Sequence, residues 1–135
     1  MDIAKFDTRK TADKGHELCI VDVNGAKTDI VITIRGTDSA AYQAKQREQQ
    51  RKWRLQLNKN PRRIMQTPEQ SEEDALDLIV AATVSWKGIE MDGKELPFSE
   101  AAARQLYTDY PAIREQVEQA MSDRTNFLPS TETTS

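Results

Sequence analysis

Residues 75–98, ALDLIVAATVSWKGIEMDGKELPF, are the one stretch where apolar density, helical periodicity and turn chemistry coincide. Ala75, Ile79, Ala82 and Trp86 recur at i, i+4, i+7 and i+11, with Leu76 and Thr83 flanking that stripe. The spacing predicts a helix over 75–86. A helix this apolar has to be covered on more than one side, so the rest of the chain must supply the cover. Lys87-Gly88 breaks the helix. Asp92-Gly93 is then the preferred pair for a tight type I′ turn joining Ile89-Glu90-Met91 to Lys94-Glu95-Leu96.

The cover has to come from 135 residues, one domain's worth, which buries about 68% of the surface an unfolded chain exposes. The expected organisation is a single domain over 1–128, with a hairpin lead-in over 1–36, a helical part over 37–128, and a flexible tail over 129–135. Hydrophobic residues make up 37% and charged residues 30%, against averages of roughly 45–50% and about 25%. That balance points to an elongated protein or one completed by partners. The lone cysteine excludes an intramolecular disulfide and a cysteine metal cluster, which suits a reducing cytoplasm. Neither a signal-peptide core nor an apolar run of membrane-spanning length is present, so a soluble intracellular protein is expected.

Taken in order, residues 1–15 are polar apart from Ile3 and Phe6 and read as an irregular lead-in. Asn24-Gly25 marks a hairpin between strands at 16–23 and 26–35. A two-residue turn there pairs Cys19 with Ile30 and Val21 with Thr28. One face then carries Cys19, Val21, Val23, Ile30, Ile32 and Ile34, which makes Cys19 a buried small hydrophobe. Gly36 ends the strand, and Thr37, Asp38 and Ser39 offer caps for a helix over 39–58. Tyr42, Gln46, Gln49 and Trp53 share one face of it, so the stripe that should be apolar is amide in its centre.

Between 45 and 63 the chain holds Lys45, Arg47, Arg51, Lys52, Arg54, Lys59, Arg62 and Arg63 against one acid, Glu48. Asn60-Pro61 stops the helix, and Thr67-Pro68-Glu69-Gln70 starts the next with a capping Thr and Pro in the first turn. Glu69, Glu72, Glu73, Asp74 and Asp77 load that start with the charge a helix dipole favours. Ser99 caps a short helix to 109. After Tyr110-Pro111 the last helix carries an apolar stripe of Ile113, Val117, Ala120 and Met121, closed by Phe127 and Leu128. The fold class is therefore mainly helical α+β: an N-terminal β-hairpin, then four helices, with a second short hairpin between the second and third of them.

No constellation points to catalysis. His16 is the sole histidine and lacks metal-ligand spacing, so a strand-edge role is expected and no metal or cofactor. The acid pairs lie on a helix start without a partner base. The glycines mark turns, with no phosphate-cradling spacing, and nucleophile motifs are missing, so a non-enzyme is expected. The basic run with Trp53 inside it fits nucleic acid in form. An acidic pI near 5.3 stands against a dedicated binder, whose domain pI usually exceeds about 9. A solvated face paired with residues 69–77, of the same chain or a neighbour, is the commoner explanation.

Two ordered sets of residues resemble the tail assembly chaperones of long-tailed bacteriophages. The first is Phe6-Asp7-Thr8, Ala12-Asp13-Lys14-Gly15, the strand pair, and Gly36-Thr37-Asp38-Ser39 with Tyr42. The second is Trp86-Lys87-Gly88-Ile89, Asp92-Gly93, Leu96-Pro97-Phe98-Ser99, Tyr110-Pro111 and Phe127-Leu128. The resemblance covers most of the chain and is closest to the short form of siphophage chaperones. It implies an oligomerising, mainly helical adaptor that binds the tape measure protein and brings in tail tube protein in the host cytoplasm, and that is absent from the mature virion. Self-association is expected; a membrane partner is not, and nucleic acid is disfavoured. Tyr42, Gln46, Gln49 and Trp53, flanked by Lys45, Arg51, Lys52 and Arg54, form the expected partner face. Trp86, Gly88, Asp92, Gly93, Leu96, Pro97 and Phe98 form a structural motif. The alternatives are a tail or neck completion protein of the virion and a small nucleic-acid-binding regulator.

Overall fold

The computed structural model describes residues 2–59 and 67–128. A 3₁₀ turn at Ile3–Phe6 leads into α1 (Arg9–Lys14), β1 (His16–Val21), β2 (Lys27–Ile34) and α2 (Ala40–Lys59). There follow α3 (Pro68–Ala82), β3 (Thr83–Lys87), β4 (Glu90–Met91), β5 (Lys94–Glu95), α4 (Glu100–Asp109), α5 (Pro111–Ser122) and a closing 3₁₀ turn at Arg124–Phe127. The class is mainly helical α+β, as periodicity predicts. The Asn60-Pro61 break, Arg62, Arg63 and the tail over 129–135 lie outside the described residues.

Local signals place most helix starts. The Thr67 hydroxyl accepts from the Gln70 amide at 3.1 Å, and the Ser99 hydroxyl accepts from the Ala102 amide at 3.0 Å. Each satisfies a backbone donor that a helix N-terminus leaves without a partner. The second hairpin turns at Asp92 (φ 55°) and Gly93 (φ 77°), the two successive left-handed residues that a type I′ turn demands.

Three expectations need correction. The lead-in is not irregular throughout. Residues 9–14 form α1 because tertiary contacts hold it: Ala12 is fully buried, its carbonyl accepts from the Gly36 amide at 3.2 Å, and the Thr11 hydroxyl donates to the Phe127 carbonyl.

The first hairpin is also out of the expected register. The Asp22 carboxylate accepts from the amides of Asn24 (2.9 Å) and Ala26 (3.0 Å), while the Asp22 amide donates to the Ala26 carbonyl. The reversal therefore spans 22–26. Pairing becomes Leu18↔Ile32 and Cys19↔Val31, with an irregularity before Val21↔Lys27. A one-residue slip turns every side chain of a strand over. His16, Leu18 and Ile20 thus lie on the side of Ile32 and Ile34, Cys19 is exposed, and Val23 is left in solvent.

The third correction concerns the stretch that organises the chain. The helix stops at Ala82, and residues 83–87 become β3, antiparallel to β2 with Ile32↔Trp86 and Thr33↔Ser85. The sheet order is β1-β2-β3. β2 has backbone donors and acceptors on both edges, and the β-branched pair Thr83-Val84 fits a strand better than a helix end. Thr83 is the pivot. Its hydroxyl donates to the Ile79 carbonyl at 2.8 Å and so accepts from the buried Tyr107 hydroxyl at 2.7 Å.

Beyond β3, the Trp86 indole N–H donates to the Leu96 carbonyl at 2.8 Å, and its ring meets Phe98 edge to face at 5.0 Å between centroids. Trp86, Leu96 and Phe98 of the motif therefore pack together. Gly88 (φ 82°) lies so near Asp29 that a Cβ there would run into the Asp29 carbonyl.

The core gathers Ile32 and Ile34 of the sheet, Ile79 and Ala82 of α3, Ala103 and Tyr107 of α4, and Val117 and Met121 of α5. Phe127 closes it and touches His16 edge to face at 5.9 Å. Leu128, expected to share that role, is half exposed. α5 packs on β1 and β2, α4 packs on α3 and α5, and α2 lies along α3. Gln116 of α5 donates to the Val21 carbonyl and accepts from its amide, both at 2.9 Å, and so caps the end of the β1 edge.

Replacing Gly88 by Ala is expected to cost at least about 2 kcal/mol in denaturant unfolding, because the new Cβ meets backbone at a positive φ. Tyr107 is a second test. Burial pushes its hydroxyl up to about 12. A phenol that ionises near 10 unfolded and near 12 folded holds its proton better in the fold, so its contribution is present below pH 10 and is lost as pH rises toward 12. Tyr107→Phe should cost about 1 kcal/mol at neutral pH and flatten that alkaline loss in unfolding curves.

Candidate interaction surface

The start of α2 is held firmly. Ahead of it, Asp38 takes two hydrogen bonds from the Arg124 guanidinium, at 2.8 and 2.9 Å, and one from the Thr8 hydroxyl. Those bonds, Arg124 first, hold the Asp38 carboxyl at about 2. The Ser39 hydroxyl accepts from the Tyr42 amide at 3.2 Å, the Asp13 carboxylate accepts from the Ala40 amide at 2.6 Å, and the Gln43 amide donates to the Thr37 carbonyl at 2.8 Å. These anchors tie α2 to the N- and C-terminal segments at once.

From there α2 runs 20 residues, about 30 Å, without one fully buried residue. Its inner side is the stripe the sequence singled out. Tyr42, Gln46, Gln49 and Trp53 share a face and are half-buried. That face looks toward the body of the same chain. Tyr42 packs against the core, and burial, then the Glu118 charge, raises the affinity of its hydroxyl for its proton. The Gln49 amide donates to the Asp74 carbonyl at 2.7 Å, and Trp53 lines a recess with Gln70 and Asp74. An amide stripe suits this seam because its partner is a polar helix start.

Glu72, Glu73 and Asp77 of α3 have partners on other helices. Arg104 of α4 binds Glu73 and, at 2.5 Å, Asp77. Arg114 of α5 binds Glu72 at 2.8 Å and Glu118 at 3.5 Å. Within the chain, Glu72, Glu73 and Asp77 are thus paired with α4 and α5 and not with the basic residues of α2. Glu48, its own acid, lies 3.7 Å from Lys45 and 3.9 Å from Lys52. Arg47, Arg51 and Arg54 meet no carboxylate within ion-pair distance among the described residues, and all three are exposed on the side away from α3. Arg47 and Arg51 are like charges at i, i+4, which costs about 0.2–0.5 kcal/mol in an isolated helix. Leu55, four residues beyond Arg51, is 56% exposed.

Of the expected partner face, Arg51, Lys52 and Arg54 are open to solvent, Lys45 is half-buried beside Glu48, and the four central residues face inward. Arg47 and Leu55 lie outside the expected partner face. Their signal was the helical wheel opposite the amide stripe, where 47, 51, 54 and 55 cluster. Near the start of α2, a cleft of about 600 Å³ opens toward α3 and α4. Its floor is small, Ala41, Ala44, Ala81 and Ala101, and its rim includes the Lys45–Glu48 and Arg104–Asp77 pairs. Among the described residues no cluster of His, Cys, Asp or Glu is placed to hold a metal ion. No helix among them is long and apolar enough to cross a membrane.

The architecture is that of a small helical body carrying one long, cationic, half-docked helix. A family model described as YdaY prophage protein matches residues 37–133, more than half of the chain. The chain belongs to that family, which is of phage origin. The match begins where the hairpin ends, so the α2 surface falls inside it and β1 and β2 fall outside. No curated protein and no solved structure matches the chain.

The anchor of α2 is open to a pH test. A carboxyl held at about 2 when folded contributes stability above its unfolded value near 4, and that contribution is lost as pH falls toward 2. The stability gap between the native protein and Asp38→Asn, read by urea unfolding, should be widest above pH 4 and shrink toward zero at pH 2.

Proposed function

We propose that this phage-derived chain is a tail assembly chaperone: a non-enzymatic adaptor that binds the tape measure protein and recruits tail tube subunits during tail morphogenesis. The observation that carries the reading is α2, a 20-residue helix with no fully buried residue, whose outer arginines meet no carboxylate within ion-pair distance among the described residues, while Glu72, Glu73 and Asp77 of α3 are bound by α4 and α5. An adaptor has to hold a helical client and release it, and polar contacts with modest apolar area suit that cycle better than a fixed hydrophobic interface. The prophage family agrees with the phage setting. In this reading the working surface is α2, self-association accompanies client binding, and the protein acts in the host cytoplasm and leaves before the virion is complete.

Co-expression with the tape measure protein of the same prophage is the direct test. The chain should co-purify with that protein, and mass spectrometry of finished particles should not find it. Its presence in particles at a fixed stoichiometry would instead make it a structural tail or neck completion protein. The arginines of α2 give the nucleic-acid reading its one structural support. Duplex binding at low salt that falls steeply with added salt, without tape measure co-purification, would favour that reading.

A further inference from the structure

The geometry points to the outer face of α2, Arg47, Arg51, Arg54 and Leu55, as a docking surface for an acidic amphipathic helix of a partner protein. The inference deepens the proposed function and rests on its placing the working surface on α2.

Three observations on that face define the occupant. Its cations are unsatisfied: Arg47, Arg51 and Arg54 meet no carboxylate within ion-pair distance among the described residues, although the chain carries more acids than bases. On α3, Glu73 and Asp77 are already held by Arg104 and Glu72 by Arg114. The face therefore presents positive charge that the fold does not neutralise, and carboxylates match guanidinium geometry with paired hydrogen bonds.

The spacing selects a helix. From Arg47 to Arg54 the rise is about 10 Å, with steps of four and three residues. A partner helix with acids at i, i+4 and i+7 repeats those steps and can meet each arginine in turn.

Leu55 selects protein over nucleic acid. It stands four residues beyond Arg51, 56% exposed, where an apolar side chain of a partner helix would cover it. A phosphate backbone offers nothing to bury it against, and the net charge of −3 weakens long-range attraction to a polyanion. Charged side chains around one apolar anchor are also the pattern in which an interface core excludes water behind a polar rim.

The test uses the full chain and a labelled synthetic peptide carrying Glu at helical spacing beside a leucine stripe. Controls are the same peptide with Gln for Glu and a short DNA duplex, all followed by fluorescence anisotropy. The acidic peptide should bind at least about tenfold more tightly than the Gln peptide, and raising salt from about 0.05 M to about 0.5 M should weaken it. R47E/R51E/R54E should lose at least about tenfold, and Leu55→Ala about threefold with the salt dependence kept. All four residues are exposed, so circular dichroism and Tm should be unchanged; R47Q/R51Q/R54Q is the milder variant if charge reversal disturbs α2. Equal affinity for both peptides, an unaffected arginine triple variant, or tighter binding of the duplex would overturn the inference. Loss of tape measure co-purification with peptide binding intact would remove the functional reading and leave the surface standing.

Discussion

The fold depends on β2 having a partner along both edges. A strand in the middle of a sheet must satisfy its amides and carbonyls on either side, and β1 alone covers one of them. β3 covers the other, which requires α3 to stop at Ala82. Thr83 makes the change of direction possible: its hydroxyl bonds back to Ile79 and is met by Tyr107 from α4. One buried polar pair thus ties α3, β3 and α4 together. Trp86 then lands against Leu96 and Phe98, and the small hairpin between them positions the start of α4.

Charge is distributed by the same packing. With α4 and α5 folded back along α3, Arg104 and Arg114 reach the acids at the start of α3. Each pair is partly exposed, so the net energy of any one of them is modest. Among the described residues the arginines of α2 meet no carboxylate within ion-pair distance, while Gln49 bonds to α3 and Gln43 to the turn before α2. The helix is docked through neutral groups and presents its charge outward, an arrangement suited to a transient partner. The prophage family spans this helical part, so the proposed surface belongs to the part of the chain that family membership describes.

Much of the fold was legible locally. The starts of α3 and α4 were written in Thr67 and Ser99, that of α2 in the run Thr37-Asp38-Ser39, and the type I′ turn in Asp92-Gly93. Helix caps and tight turns depend on bonds within a few residues, so the sequence alone determines them. The same holds for the apolar stripe of α5 and for the common face of Tyr42, Gln46, Gln49 and Trp53.

Other features are decided between segments distant in sequence. Whether residues 83–87 continue a helix or join a sheet depends on an open edge of β2, fifty residues earlier, and the local apolar spacing fits a helix. Which face of β1 turns inward depends on a register that Asp22 shifts through two side-chain bonds. Residues 9–14 form a helix because Gly36 and Phe127 close over them. The charged face of α2 points outward because the opposite face is docked, with Tyr42 packed on the core and Gln49 bonded to the Asp74 carbonyl. Periodicity specifies that side chains share a face, but only the positions of neighbouring elements determine whether that face meets the protein or the solvent.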